Sequence, residues 1–132
     1  MEIDATTKRQ LGKFIVSGLV AVAVDFGSYF FLNSYISHNV SKGISFLTGS
    51  IVAYLLNKFW TFDTKEFSGL QLFRFFFLYL ITLVINIMVN KGVLNFYNSV
   101  LLGFLCATGA STILNFLGQK FWVFKPNIKK DY

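Results

Sequence analysis

Asp25 is the one charged residue in the apolar stretch from Phe14 to Ile36, where an acid near the centre of a membrane span costs about 2.5–3.5 kcal/mol. An asparagine would supply hydrogen bonds without an ionisable group, as Asn86 does at the related position later in the chain, so an acid held here is a functional candidate. A second chemistry lies in two similar runs, Asn57-Lys58-Phe59-Trp60-Thr61-Phe62 and Gln119-Lys120-Phe121-Trp122-Val123-Phe124. Trp at headgroup level with lysine stems snorkelling beside it accounts for these runs as membrane anchors. The same groups suit an anionic lipid headgroup, and the two readings are compatible. Arg74 offers a planar fork for phosphate, or snorkels as a helix-end arginine. Catalysis finds no support: the single Cys106 and single His38 exclude a disulfide framework and a metal cluster, and no nucleophile is paired with a base. The expectation is a protein that is not an enzyme and has no cofactor.

The elements that hold these residues belong in a bilayer. Of 132 residues, 55% are hydrophobic and only 14% charged, below the quarter usual in soluble domains. Four stretches approach the roughly 20 apolar residues needed to cross hydrocarbon: Phe14 to Ile36, Gly43 to Phe62, Leu72 to Phe96 and Ser99 to Phe124. The connections, Ser37 to Lys42, Asp63 to Gln71 and Tyr97 to Asn98, are short enough that consecutive helices run antiparallel. A soluble bundle would show a charged face at helical spacing, which these stretches lack. The polar start, Met1 to Lys13, has no A-x-A-like cleavage site after its apolar run, so the first helix is expected to be retained. The reading is an all-α integral membrane protein of four transmembrane helices, residues 1–132 forming a single domain.

The net charge of +6 would suggest nucleic acid in a soluble protein; in a membrane protein it speaks of orientation, and no nucleic-acid partner is expected. Four spans put Lys8, Arg9, Lys13, Lys58, Lys65, Arg74, Lys120, Lys125, Lys129 and Lys130 on one side, against Lys42 and Lys91 on the other. Both termini are therefore expected in the cytoplasm, in the cytoplasmic membrane of a cell. That bias also disfavours a dual-topology small multidrug transporter.

The chain repeats itself. An offset of 62 aligns the second helix with the fourth, and an offset of 61 aligns Leu11, Lys13, Phe14 and Asp25 with Leu72, Arg74, Phe75 and Asn86. Repeat one covers about 11–62 and repeat two about 72–124, two tandem helical hairpins that enter from the same side as a parallel repeat. Each helix also carries one polar face. Gly18, Ala21, Val22, Ser28 and Tyr29 flank Asp25 on the first, and the second has Ser50, Ala53, Tyr54 and Asn57. The third has Tyr79, Thr82, Asn86 and Asn90, and the fourth Thr108, Ser111, Thr112, Asn115 and Gln119. Most of these serve helix packing, at about 0.6–1.7 kcal/mol each. Asp25 is expected to face the other helices without a cationic partner. Gly18, Gly27, Gly49, Gly103, Gly109 and Gly118 are expected at close helix contacts.

Lys13-Phe14, Asp25, the run from Asn57 to Phe62, Arg74-Phe75 and the run from Asn115-Phe116 to Phe124 together resemble the GtrA-like family of small four-helix membrane proteins, over about Leu11 to Lys125. Gln119 departs from the asparagine more usual in the second copy. The resemblance implies a part in cell-surface polysaccharide synthesis, moving a polyprenyl-phosphate-linked monosaccharide across the membrane for a glycosyltransferase outside. On that footing Asp25, Asn57, Asn86, Asn115 and Gln119 are expected to hydrogen-bond the sugar. Arg74, Lys58 and Lys120 would hold the phosphate, with Trp60 and Trp122 beside the headgroup. Two alternatives stay open: a non-transporting subunit that positions a partner glycosyltransferase, and a small proton-coupled exporter resting on Asp25. Four helices of this length leave little room for a sugar phosphate in one closed bundle, so a homo-oligomer or an opening to membrane lipid is expected.

Overall fold

The structure is a computed structural model that describes residues 4–125; Lys129 and Lys130 of the basic tally lie outside the described residues. All regular structure among these residues is helical. In order come α1 (Ala5–Asn33), α2 (His38–Leu56), a first π-turn (Asn57–Thr61), α3 (Gly69–Tyr97), α4 (Val100–Gly118) and a second π-turn (Gln119–Val123). The chain divides into two compact units, Met1–Lys65 and Glu66–Tyr132, the first built by α1 on α2 and the second by α3 on α4.

Local chemistry sets the helix ends, several of which differ from expectation. α1 starts at Ala5 rather than Phe14 because Asp4 caps it, its carboxylate accepting the Thr7 N–H at 2.6 Å and satisfying a donor that the helix cannot. It also ends early: the Tyr35 and Ile36 amides fold back onto the Leu32 carbonyl at 2.9 Å each, and the chain re-enters a helix at His38. Lys42, expected in the connection, therefore lies inside α2. Asn98 closes α3 at φ 49°, a left-handed conformation asparagine tolerates, and Ser99 accepts the Leu102 N–H at 3.2 Å to start α4.

Three helices are long and apolar enough to cross a membrane: Ala5–Asn33, Gly69–Tyr97 and Val100–Val123. The protein is thus a multi-pass membrane protein; α2, with 19 residues, is long enough but less apolar, so three of the four expected spans stand out by length and composition. Ser41, Lys42, Ser45, Thr48 and Ser50 dilute its hydropathy.

Those small polar residues have a packing role. Ser41, Ser45, Gly49, Ala53 and Asn57 recur every four residues and are buried, forming one stripe along which another backbone can approach closely. A Cβ on Gly49 would lie 2.9 Å from the Ala21 carbonyl oxygen and 3.0 Å from the Asp25 Cβ. In the second unit the stripe is Gly103, Ala107, Ser111, Asn115 and Gln119, each 62 residues on. The facing sets are Phe14, Ser17, Ala21 and Asp25 on α1 and Phe75, Leu78, Thr82 and Asn86 on α3, each 61 on. Of the glycines expected at close contacts, Gly103 approaches the Asn90 side chain and Gly118 the Leu78 side chain. Gly18, Gly27 and Gly109 have nothing within 4 Å of an added Cβ; they point away from the stripe that meets the partner helix.

The two hairpins put their polar pairs at different levels. In the first unit Ser17 donates to Thr61 Oγ1 at 3.2 Å and Thr61 to Asn57 Oδ1 at 3.0 Å, with all three residues buried. Leu78 and Val123 replace Ser17 and Thr61 in the second unit. There the bond lies one turn further along, Thr82 donating to Asn115 Oδ1 at 3.1 Å, where the first unit has Ala21 and Ala53. Each pair satisfies its buried polar atoms within its own hairpin, as burial away from water requires.

Candidate functional site

Both Lys-Phe-Trp runs fold into the same unusual turn. The Phe62 amide bonds to the Asn57 carbonyl at 2.9 Å and the Phe124 amide to the Gln119 carbonyl at 2.8 Å, i→i+5 bonds in place of i→i+4. Such wide turns occur mostly as single insertions in α-helices and often at functional sites. Here each ends the second helix of a hairpin, at the hairpin's open end. In the first unit Asp63, at φ 48°, ends the helix, and the Thr64 amide returns to the Lys58 carbonyl at 2.8 Å.

A helix end leaves carbonyls without intrahelical donors and a partial negative charge, both favourable to a cation. In the first unit Lys13 Nζ donates to the Trp60 carbonyl at 3.5 Å and sits 5.5 Å from the Trp60 ring centroid. Arg74 does the same in the second, Nη1 donating to the Trp122 carbonyl at 3.4 Å with the guanidinium 5.6 Å from that ring. Phe14 and Phe62 pack with centroids 6.5 Å apart, and Phe75 and Phe124 at 6.3 Å. The repeated object is a clasp: one cation from the first helix of a hairpin, gripping the backbone and indole of the second. Each cation spends one donor on the carbonyl and keeps others, two on a lysine and four on an arginine by their chemistry.

Arg74 and Trp122 are therefore brought together, and so are Trp60 and Lys13, a residue the sequence reading placed in the family pattern without giving it a site role. The signal was present, since the offset of 61 pairs Lys13 with Arg74. Lys58 differs from the snorkelling rim residue expected of it. It is fully buried, 5.4 Å from the Phe59 ring, because the wide turn leaves Phe59 and Trp60 outside and turns Lys58 in. Lys120 is half-buried, 5.6 Å from the Phe121 ring, and Gln119 is buried.

Asp25 requires a correction. Both its carboxylate oxygens lie 3.1 Å from Lys42 Nζ, so the acid has the cationic partner it was expected to lack. The early turn after α1 is the reason: it places Lys42 inside α2, on the stripe side, within a lysine stem of Asp25. Lys42 also lies 5.8 Å from the Tyr29 ring. The pair is only partly shielded, with side-chain exposures of 59% for Lys42 and 21% for Asp25. Asn57 is not beside it, sitting two helical turns past Gly49, roughly 12 Å along the axis. In the second unit Asn86 donates to Ser111 Oγ at 3.0 Å, the residue equivalent to Gly49, so the second hairpin bridges with neutral groups at the level where the first holds an ion pair. Among the described residues no group of three or more His, Cys, Asp or Glu could hold a metal ion.

The chain is 28% identical over 123 residues to the uncharacterized membrane protein YngA of Bacillus subtilis (strain 168), a match spanning 92% of this chain and 83% of that protein. No solved structure matches it. The GtrA/DPMS transmembrane domain matches residues 13–124, a span that opens on the clasp lysine Lys13 and closes on Phe124 at the end of the second π-turn, and on that match the chain belongs to the GtrA/DPMS transmembrane-domain family.

Proposed function

We propose that the protein moves a polyprenyl-phosphate-linked monosaccharide across the cytoplasmic membrane, delivering it for polysaccharide glycosylation on the far side. The observation that carries this reading is the duplicated clasp, a cation on an indole at each hairpin's open end, in a chain whose family membership suggests flipping of polysaccharide precursors. In it Arg74 and Lys120 attract the phosphate, Trp60 and Trp122 border the sugar, and the prenyl tail stays in lipid, while Lys58, fully buried, stays within its hairpin. Asp25, Asn57, Asn86, Asn115 and Gln119 supply polar contacts for the sugar during crossing, and the protein works as a homo-oligomer or with an opening to lipid.

The reading takes all four helices across the bilayer, with both termini in the cytoplasm. α2 and the first π-turn run unbroken from His38 to Thr61, long enough at 1.5 Å per residue to cross about 30 Å of hydrocarbon. Pairing with Asp25 offsets part of the insertion cost of Lys42. The basic bias of Lys8, Arg9, Lys13, Lys65 and Lys125 sets the direction.

The test is reconstitution of the purified protein alone in liposomes with a short-chain polyprenyl-phosphate hexose, comparing wild type with Asp25→Asn. Movement without any enzyme, slowed by the substitution, supports the reading. Binding of a membrane glycosyltransferase with no movement of lipid replaces it with the positioning role.

A further inference from the structure

In the first unit the open end of the hairpin contains a cavity of about 400 Å³ between the start of α1 and the first π-turn, within the range of small-molecule sites. Its wall brings together Arg9, Gln10, Lys13, Trp60 and Asp63. Arg9 and Gln10 belong to a part of the helix that the sequence reading treated as a polar leader to the first span.

Three features select among ligands. Two cations against one carboxylate leave a single positive charge, which matches the single negative charge of a phosphodiester; a phosphate monoester carries closer to two near neutral pH. Gln10 Oε1 is buried with no hydrogen-bond partner in the described structure, a state that calls for a donor. The Asp63 carboxylate likewise only accepts. Phosphate oxygens cannot serve these two acceptors, whereas sugar hydroxyls can. Trp60 is 42% exposed, leaving indole surface on which the apolar face of a pyranose can pack.

We propose that this cavity is a docking site for a glycosyl phosphodiester, the sugar-phosphate head of a carrier lipid. Arg9 and Lys13 take the phosphate, Trp60 supports the ring, and Gln10 and Asp63 read the hydroxyls. The proposal rests on the translocation reading and deepens it by assigning recognition to one hairpin. At the equivalent positions the second unit keeps Gln71, Arg74 and Trp122 but has Leu70 for Arg9 and Lys125 for Asp63. The second copy thus keeps two cations, Arg74 and Lys125, but has no acidic reader, so it lacks both the single positive charge and the hydroxyl acceptor that the first unit offers.

The chain has two tryptophans, so a Trp122→Phe background isolates Trp60 emission. The protein in nanodiscs of neutral lipid is titrated with short-chain polyprenyl-phosphate hexose, with the same polyprenyl phosphate lacking sugar, with soluble hexose 1-phosphate and with phosphatidylglycerol. The expected result is a saturable change with the sugar lipid, at least tenfold tighter than with phosphatidylglycerol or the sugar-free lipid. Arg9→Gln should weaken it about tenfold, the loss of one charge-assisted bond. Asp63→Asn, which keeps the left-handed backbone, should weaken the sugar lipid and leave the sugar-free lipid unchanged. Arg9 and Asp63 are exposed, so both variants fold. Equal binding of all the lipids, or indifference to both substitutions, overturns the site. Flipping by the wild-type protein in sealed liposomes separates the two ideas. Transport with no Trp60 response overturns the docking site alone, and saturable sugar-lipid binding without transport upholds the site while overturning translocation.

Discussion

Removing one partner of the Asp25–Lys42 pair should cost more than removing both. The two Nζ–O contacts are 3.1 Å each, close enough for a charge-assisted interaction, but Lys42 is 59% exposed at its side chain and the full low-dielectric attraction does not apply. Exposed pairs contribute about 0.2–1 kcal/mol, and a lone acid near the centre of a span costs about 2.5–3.5 kcal/mol. The partial shielding of Asp25 puts the coupling between those limits, about 1–2 kcal/mol. The singles should also be unequal. Lys42→Gln leaves an acid facing Gly49 with no counter-charge, whereas Asp25→Asn leaves a lysine already exposed and free to snorkel. The assay is a double-mutant cycle of Lys42→Gln, Asp25→Asn and the pair, followed by reversible unfolding in mixed detergent micelles with Trp fluorescence. Additive effects, or Asp25→Asn costing more than Lys42→Gln, would refute this account of the pair.

Other consequences are equally concrete. Gly49→Ala puts a Cβ 2.9 Å from the Ala21 carbonyl oxygen and should destabilise the first hairpin by about 1–3 kcal/mol, while Gly18→Ala, with open space around it, should be neutral or gain up to about 1 kcal/mol in helix propensity; thermal unfolding of both variants in one detergent checks the contrast. Breaking the Asn86–Ser111 bond with Ser111→Ala should cost about 0.6–1.7 kcal/mol, and Asn86→Ala in the same background should then add little, as measured by the same unfolding assay. Arg74→Gln removes both the donor to the Trp122 carbonyl and the cation on its ring, so in a Trp60→Phe background the Trp122 emission should shift and stability fall by about 0.5–1 kcal/mol; an unchanged spectrum would mean the clasp does not form.

Much of this arrangement was written in the spacing. The offsets of 61 and 62 pair Lys13 with Arg74, Phe14 with Phe75 and Trp60 with Trp122, and these residues make matching contacts in the two units. Of the four-residue stripes, Ala53, Asn57, Ser111, Asn115 and Gln119 stand in the polar faces read from the sequence, whereas Ser41, assigned to the connection, Ser45 and Ala107 do not, because a small side chain alone does not mark which face meets a neighbour. Lys42 was missed for a physical reason: turn length is set by backbone bonds back to Leu32, which leave little mark on composition, and moving that turn placed the lysine inside a helix and beside Asp25. The π-turns were hidden as well, since shifting a bond from i+4 to i+5 changes no residue. Glycine spacing did not reveal which of these residues meet the neighbouring helix, and so Gly18, Gly27 and Gly109 were grouped with Gly49. The clasp itself was hidden although Lys13 and Arg74 pair at the offset, because the acceptor common to both is a backbone carbonyl that no residue type marks.

Translocation itself is tested most directly by leaflet exposure. A short-chain polyprenyl-phosphate hexose is placed in both leaflets of liposomes carrying only this protein, and the fraction oxidised by a membrane-impermeant periodate is followed with time. Protein-free vesicles should stop at the outer half. With the protein the oxidised fraction should rise toward all of the lipid in vesicles that hold a copy. A plateau at the outer half, with the protein shown by its unfolding transition to be folded, would contradict the account.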